Sequence, residues 1–168
     1  MRRLHLTRRL LVGQAVVSLL AGCAGTATVA PPSATAQPSA SLVAGADVTE
    51  VTGVTHYRGG TFVCTMRTDD PRVSGTHTSG EWSIDWWGEA DMSSGALVQW
   101  GTPRLENAGG AWEGTLSGVF STGRGDIIAV WYKGTGGYAG LSYFELITGS
   151  PPTLKIQGQI FPGDPPTP

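Results

Sequence analysis

Hydrophobic and polar residues alternate with a period of two over much of the second half of the chain. Between 111 and 121, Trp112, Leu116 and Phe120 share one parity with Gly114 and Gly118, and Glu113, Thr115 and Ser117 take the other. Between 153 and 161, Leu154, Ile156 and Ile160 alternate with Lys155, Gln157 and Gln159. Successive side chains of a strand point to opposite faces, so this pattern predicts strands with one dry and one wet face. Residues 126–133, and largely 138–147, are apolar on both parities. They predict a hairpin that turns at Gly134-Thr135-Gly136-Gly137 and is covered on its outer side as well. Eight strands are expected in all, over 47–57, 60–68, 72–86, 96–106, 111–121, 126–133, 138–147 and 153–161. Asn107-Ala108-Gly109-Gly110 and Thr122-Gly123-Arg124-Gly125 carry turn chemistry between them.

The fold class is therefore all-β, and the arrangement is a barrel or a sandwich. A single antiparallel, eight-stranded, up-and-down barrel is the better fit, because short links need no crossover, closure removes exposed edges, and in-strand glycines permit sharp coiling. Twenty-five glycines in 168 residues weigh against a helical protein. The segment Gly134-Thr135-Gly136-Gly137-Tyr138-Ala139-Gly140 resembles the T-G-G-x-[FY]-x-G turn of the allene oxide cyclase and dirigent barrels. That resemblance covers about ten residues and implies a late-strand turn of a small barrel. The catalytic residues of those families match no positions here. The sequence as a whole also resembles an uncharacterised family of bacterial secreted proteins, which implies no function.

The N-terminus changes the picture of where this domain works. Four arginines and no acid precede an apolar run over 10–20, which is too short to span a bilayer comfortably and the right length for a signal sequence. Leu20-Ala21-Gly22-Cys23 follows, and it resembles the lipobox of bacterial lipoproteins. The resemblance implies cleavage before Cys23, a diacylglycerol on its sulfur, and attachment to the extracytoplasmic face of the cell membrane. Thr7-Arg8-Arg9-Leu10-Leu11 also resembles a twin-arginine signal, so export by the Sec or the Tat route is open. Residues 24–46 hold no charge and are mostly Ala, Ser, Thr and Pro, which predicts a disordered tether with a reach on the order of 25 Å. The expected organisation is a signal peptide over 1–22, lipidated Cys23 and tether over 23–46, a barrel over 47–162, and a Pro-rich tail over 163–168.

Charge and cysteine content narrow the function classes. Loss of the first 22 residues removes four of eleven basic residues and none of thirteen acids, so the mature chain carries seven against thirteen, a net of −6. With no Lys/Arg cluster, nucleic acid is not an expected partner. Cys64 is the only mature thiol and shares its parity with Phe62 and Met66, which reads as a buried structural residue. His56 and His77 lack metal-ligand spacing, and no metal or cofactor is expected. A Ser74/His77/Asp triad has the composition but no nucleophile-elbow pattern.

The densest constellation lies over 81–91, where Trp82, Ile84 and Trp86 share one face and Glu81, Asp85 and Trp87 the other. Indole faces stack on sugar rings or cationic groups, and carboxylates bond hydroxyls or ammonium groups. Equally, Trp82 and Trp86 serve as core filling. Glu106, Glu113 and Glu145 fall on three different strands, and a close pair would resemble a glycosidase arrangement. No residue is assigned a catalytic role. If the barrel holds a small apolar or amphipathic ligand, the residues expected to contact it are Trp82, Trp86, Trp100, Tyr132, Tyr143, Glu113 and Glu145. The alternatives are a protein-interaction or structural barrel with a filled core, and a cyclase- or isomerase-type enzyme by barrel analogy. The expected partners are the membrane, through Cys23, and a small-molecule ligand. Oligomeric state is left open.

Overall fold

The computed structural model describes residues 34–44, 46–89, 93–150 and 154–166, which form one antiparallel sheet. Its strands are β1 (Ala34–Ala44), β2 (Asp47–Val51), β3 (Val54–Thr68), β4 (Gly75–Gly88), β5 (Gly95–Asn107), β6 (Gly110–Ser121), β7 (Gly125–Gly136), β8 (Leu141–Gly149) and β9 (Lys155–Pro162). No α-helix occurs among the described residues. From β3 to β9 each strand pairs with the next in sequence, the up-and-down order that short turns impose. The signal peptide and Cys23 lie outside the described residues.

Nine strands occur where eight are expected, and the additional one is β1. The two runs expected over 47–57 and 60–68 still give two strands, but the break between them falls earlier, at Thr52-Gly53, whose φ values of 52° and 78° make the two-residue turn that joins β2 to β3, while the Gly59-Gly60 stretch is absorbed into β3. β1 itself falls within the stretch read as a tether. It pairs with β3 from Ala34 opposite Thr68 to Ala44 opposite Thr61. Ladder pairing needs only backbone N–H and C=O groups, so a segment of small residues satisfies an open edge that side-chain pattern alone does not reveal. Since β1 and β2 lie end to end along β3, the sheet is eight positions wide.

The sheet is strongly curled and not closed. β9 and the β1/β2 pair form its two edges, and no ladder joins them among the described residues. In a flat sheet β4 and β7 would be about 14 Å apart, three strand spacings. Yet the Tyr132 hydroxyl on β7 hydrogen-bonds His77 Nε2 on β4 at 3.1 Å. Two bulges tighten the curl. From Tyr57 to Gly60 β3 advances three residues while β4 retreats two, and from Phe62 to Gly60 β3 steps two while β4 steps three, from Ser79 to Trp82. Gly59 (φ 71°) and Glu81 (φ 49°) are the bulge residues with left-handed backbone. The second bulge also exchanges parity on β4. His77 and Ser79 face inward before it, and Trp82, Ile84 and Trp86 after it.

The inner face is packed by two clusters. Tyr57, Trp82, Ile84, Trp86 and Leu97 fill one end. The larger cluster includes Leu105, Trp112, Val130, Tyr132, Tyr143 and Ile156. A 3-10 turn over Pro71–Val73 plugs that end with fully buried Val73. Its carbonyls are satisfied from the sheet, since Trp112 Nε1 donates to Arg72 O (2.7 Å) and Asn107 Nδ2 donates to Pro71 O (3.2 Å). Trp112 stacks on Tyr138 with ring centres 4.8 Å apart, and the Tyr138 hydroxyl donates to Asn107 Oδ1 (2.7 Å).

The β7–β8 hairpin turns later than the glycine pattern indicates. Gly134 is buried within β7, and the turn is closed by Tyr138 N–H donating to Thr135 O and Leu141 N–H to Tyr138 O. On its outer side Trp131 packs 4.6 Å from Phe144 and 6.1 Å from Phe161, so that stretch is covered by its own neighbours. Ile127, on the same face, is 54% exposed.

Candidate functional site

Two polar constellations arise from this fold, one on each side of the sheet. The inner one is assembled by the curl. Cys64 Sγ on β3 is 3.8 Å from His77 Nδ1, and the opposite ring nitrogen meets Tyr132. Tyr132 stacks on Tyr143 (5.5 Å between centres), whose hydroxyl donates to Glu145 Oε2 at 3.0 Å. All five residues are buried. Burial first, and then the neighbouring Glu145 carboxyl, push the Tyr143 phenol far above its ordinary range, so it stays protonated and acts as a donor. A second inner chain runs from Trp82 Nε1, which donates to Gln99 Oε1 (3.2 Å), to Gln99 Nε2, which donates to Asp126 Oδ1 (3.3 Å). Burial raises the Asp126 carboxyl to about 6, a rise that the Gln99 hydrogen bond only partly offsets.

The outer constellation spans β3, β4 and β5. The register aligns His56 with Asp85 and sets Trp100 opposite Ser83, two residues before Asp85. His56 Nδ1 donates to Asp85 Oδ1 (2.6 Å), and Arg58 NH2 donates to the same oxygen (2.5 Å). The bulge at Gly59 aims Arg58 across β4, where its NH1 donates to Ile84 O (2.8 Å), and the same nitrogen donates back to Tyr57 O on β3 (2.9 Å). Its guanidinium carbon ends 4.9 Å from the centre of the Trp100 ring. Partial burial works against the Asp85 charge, but the bonds from His56 and Arg58 outweigh it and hold the carboxyl below the usual carboxylate range. Asp85 is thus an ionised, positioned acceptor flanked by an aromatic plane.

The seven residues expected to line one ligand site divide between these faces. Trp82, Trp86, Tyr132, Tyr143 and Glu145 are on the inner face, each at most 1% exposed. Trp100 is on the outer face and 39% exposed. Glu113 is also outside, ion-paired with Arg104, and Glu106 binds the same arginine at 3.2 Å. The five inner residues and the two outer ones do not meet. Cys64 is buried, as its parity indicates. Ser74 is held by Thr68 N–H (2.8 Å) in the β3–β4 connection.

Sequence reasoning passed over Arg58, whose signal is the following Gly59-Gly60 pair, and Asp126, which shares parity with Ile128 and Val130. Among the described residues no group of His, Cys, Asp and Glu has the geometry to hold a metal ion. Nor is any helix long and apolar enough to cross a membrane among them. Comparison with family models, with curated proteins and with solved structures finds no match.

Proposed function

We propose that this protein is an extracytoplasmic lipoprotein, held to the membrane through Cys23, that acts by binding a partner on the outer face of its sheet. The contrast in aromatic exposure carries the reading. Trp82, Trp86, Trp112, Tyr132 and Tyr143 are sealed on the inner face, whereas Trp87 and Trp100 are 44% and 39% exposed on the outer one. Isolated exposed aliphatics need no explanation, but exposed tryptophans are the residues most enriched at binding hot spots. A core filled by large aromatics leaves recognition to the outside.

We also propose that the curl completes an eight-position barrel in solution. Cα atoms of β1 and β9 approach within 8 Å, and closure would satisfy both edges. The likeness of Gly134–Gly140 to the cyclase and dirigent barrels favours the same architecture.

A second reading is favoured by the buried Tyr143–Glu145 and His77–Tyr132 pairs. Polar groups sealed among aromatics are the equipment of a small-ligand pocket or of a cyclase- or isomerase-type site. One experiment separates the two. The Cys23→Ser chain, expressed without lipid, is weighed by native mass spectrometry after gentle purification, and metabolic lipid labelling is compared between it and the parent. The expected result is lipid label on the parent alone and a Cys23→Ser protein of bare chain mass. A stoichiometric small-molecule adduct would replace the outer-face reading with the interior one, and label on Cys23→Ser would remove the anchor.

A further inference from the structure

We infer that the outer face of β4 and β5 is a subsite for a neutral glycan chain, which stacks on Trp87 and Trp100 and hydrogen-bonds Asp85 between them. The inference deepens the outer-face reading above and rests on it.

The geometry is that of a platform. Trp87 and Asp85 are successive outward residues of β4, and Trp100 lies one strand over, opposite Ser83. Four residues of strand rise and one strand spacing separate the two tryptophan Cα atoms by about 14 Å, so a chain of several linked rings is needed to touch both. The strand ladder fixes both positions, and β4 here is regular in register from Ser83 to Gly88. Trp100 is braced from one side by Arg58 at 4.9 Å, which leaves it 39% exposed. Ser83, beneath that pair, is buried.

The polar groups point to hydroxyls. Asp85 Oδ1 takes both donors, His56 Nδ1 and Arg58 NH2, while Oδ2 accepts no hydrogen bond from the described residues. In the neutral form of His56, with Nδ1 donating to Asp85, the other ring nitrogen offers a second acceptor. A carboxylate oxygen and an imidazole nitrogen that both accept call for a ligand rich in O–H donors. The C–H faces of pyranose rings match the indole planes. An anionic polymer is disfavoured, because the Arg58 charge is already matched by Asp85 and the mature chain carries a net −6. A purely apolar ligand would strip water from Asp85 without returning a hydrogen bond. A protein partner needs roughly 800 Å² of contact on each side, and so would have to extend beyond the three side chains of this strip.

The test uses the mature chain, residues 23–168, with Cys23→Ser, and two neutral probes, the hexamer of β-1,4-linked N-acetylglucosamine and the β-1,4-linked glucose hexamer, with binding read by tryptophan fluorescence and calorimetry. At least one hexamer should bind, and its monosaccharide at least about tenfold more weakly, since one ring reaches one tryptophan. Trp87→Ala and Trp100→Ala should each weaken hexamer binding about tenfold. Asp85→Asn, which keeps the shape and removes the charge-assisted acceptor, should weaken it by about fivefold. Val119→Ala, outside the strip, should leave it unchanged. Both tryptophans are exposed, so unfolding midpoints serve as the folding control. No binding of either hexamer, or binding that Trp87→Ala and Trp100→Ala leave intact, overturns the inference. Photo-crosslinking from position 100 to a cellular protein, with no glycan binding, would do so too while preserving the outer-face reading. A mass adduct that persists in Trp100→Ala would remove that reading itself.

Discussion

Asp126 illustrates how a single residue can couple this fold to pH. Its carboxyl is buried on the inner face with one hydrogen bond, from Gln99, and burial raises it to about 6 from an ordinary 3.8. Between those values the native state holds a proton that the unfolded chain has released. The contribution of Asp126 to stability is therefore fully present below about pH 4 and is lost as pH rises through 6, whereas those of Asp70 and Asp85, whose carboxyls are held below the usual range, run the other way. Asp126→Asn keeps an acceptor for Gln99 and removes the charge. At pH 7.5 it should raise the unfolding free energy by roughly 2–3 kcal/mol, and at pH 4 it should change it little. Denaturant unfolding at the two pH values makes the comparison, and an equal gain at both would point to packing instead of titration. Position 126 was legible as an inward site only by parity with Ile128 and Val130, because an Asp at the start of a strand ordinarily reads as a turn residue.

At the scale of elements, glycines at first sight equivalent do different work. Gly136 and Gly140 have left-handed backbone, at φ 63° and 82°. Gly137 does not. Its constraint is proximity, since its N–H donates to Gly109 O at 3.0 Å and a Cβ there would collide with that same carbonyl. Gly137→Val should destabilise the domain by about 1–3 kcal/mol through this forced separation of two turns. Lys155→Ala, on the exposed side of β9, should stay within about 0.5 kcal/mol. Equal unfolding midpoints would contradict the turn-to-turn contact. The strands from β5 to β9 were readable because their alternation is regular and their turns carry Gly or Asn. The first half was harder. Gly59-Gly60 looks like a turn and is a bulge, the real turn at Thr52-Gly53 uses a β-branched residue at φ 52°, and β1 carries no alternating pattern, its only large apolar residues being the adjacent Leu42 and Val43. Bulges also hid the outer site, because Arg58 reaches Asp85 and Trp100 only through the extra residue in β3.

For the whole molecule, the curl is what separates a sealed interior from an available exterior. It brings β4 and β7 together through His77 and Tyr132, and it lets two aromatic clusters fill the inner face. The sequence contained the candidates for both faces but not their division, since alternation on a single strand says which residues share a side and not which side is enclosed. The most direct test of that division follows all six tryptophans at once. The chain is labelled with 5-fluorotryptophan, its fluorine resonances are assigned by single Trp→Phe variants, and a soluble paramagnetic agent is titrated in. Resonances of Trp82, Trp86 and Trp112 should be untouched while those of Trp87 and Trp100 broaden, and truncating any of the first three to Ala should cost about 3–5 kcal/mol. A broadened Trp82 or Trp86 whose truncation costs little would mean that the interior is open, and the account of a filled sheet working from its outer face would be wrong.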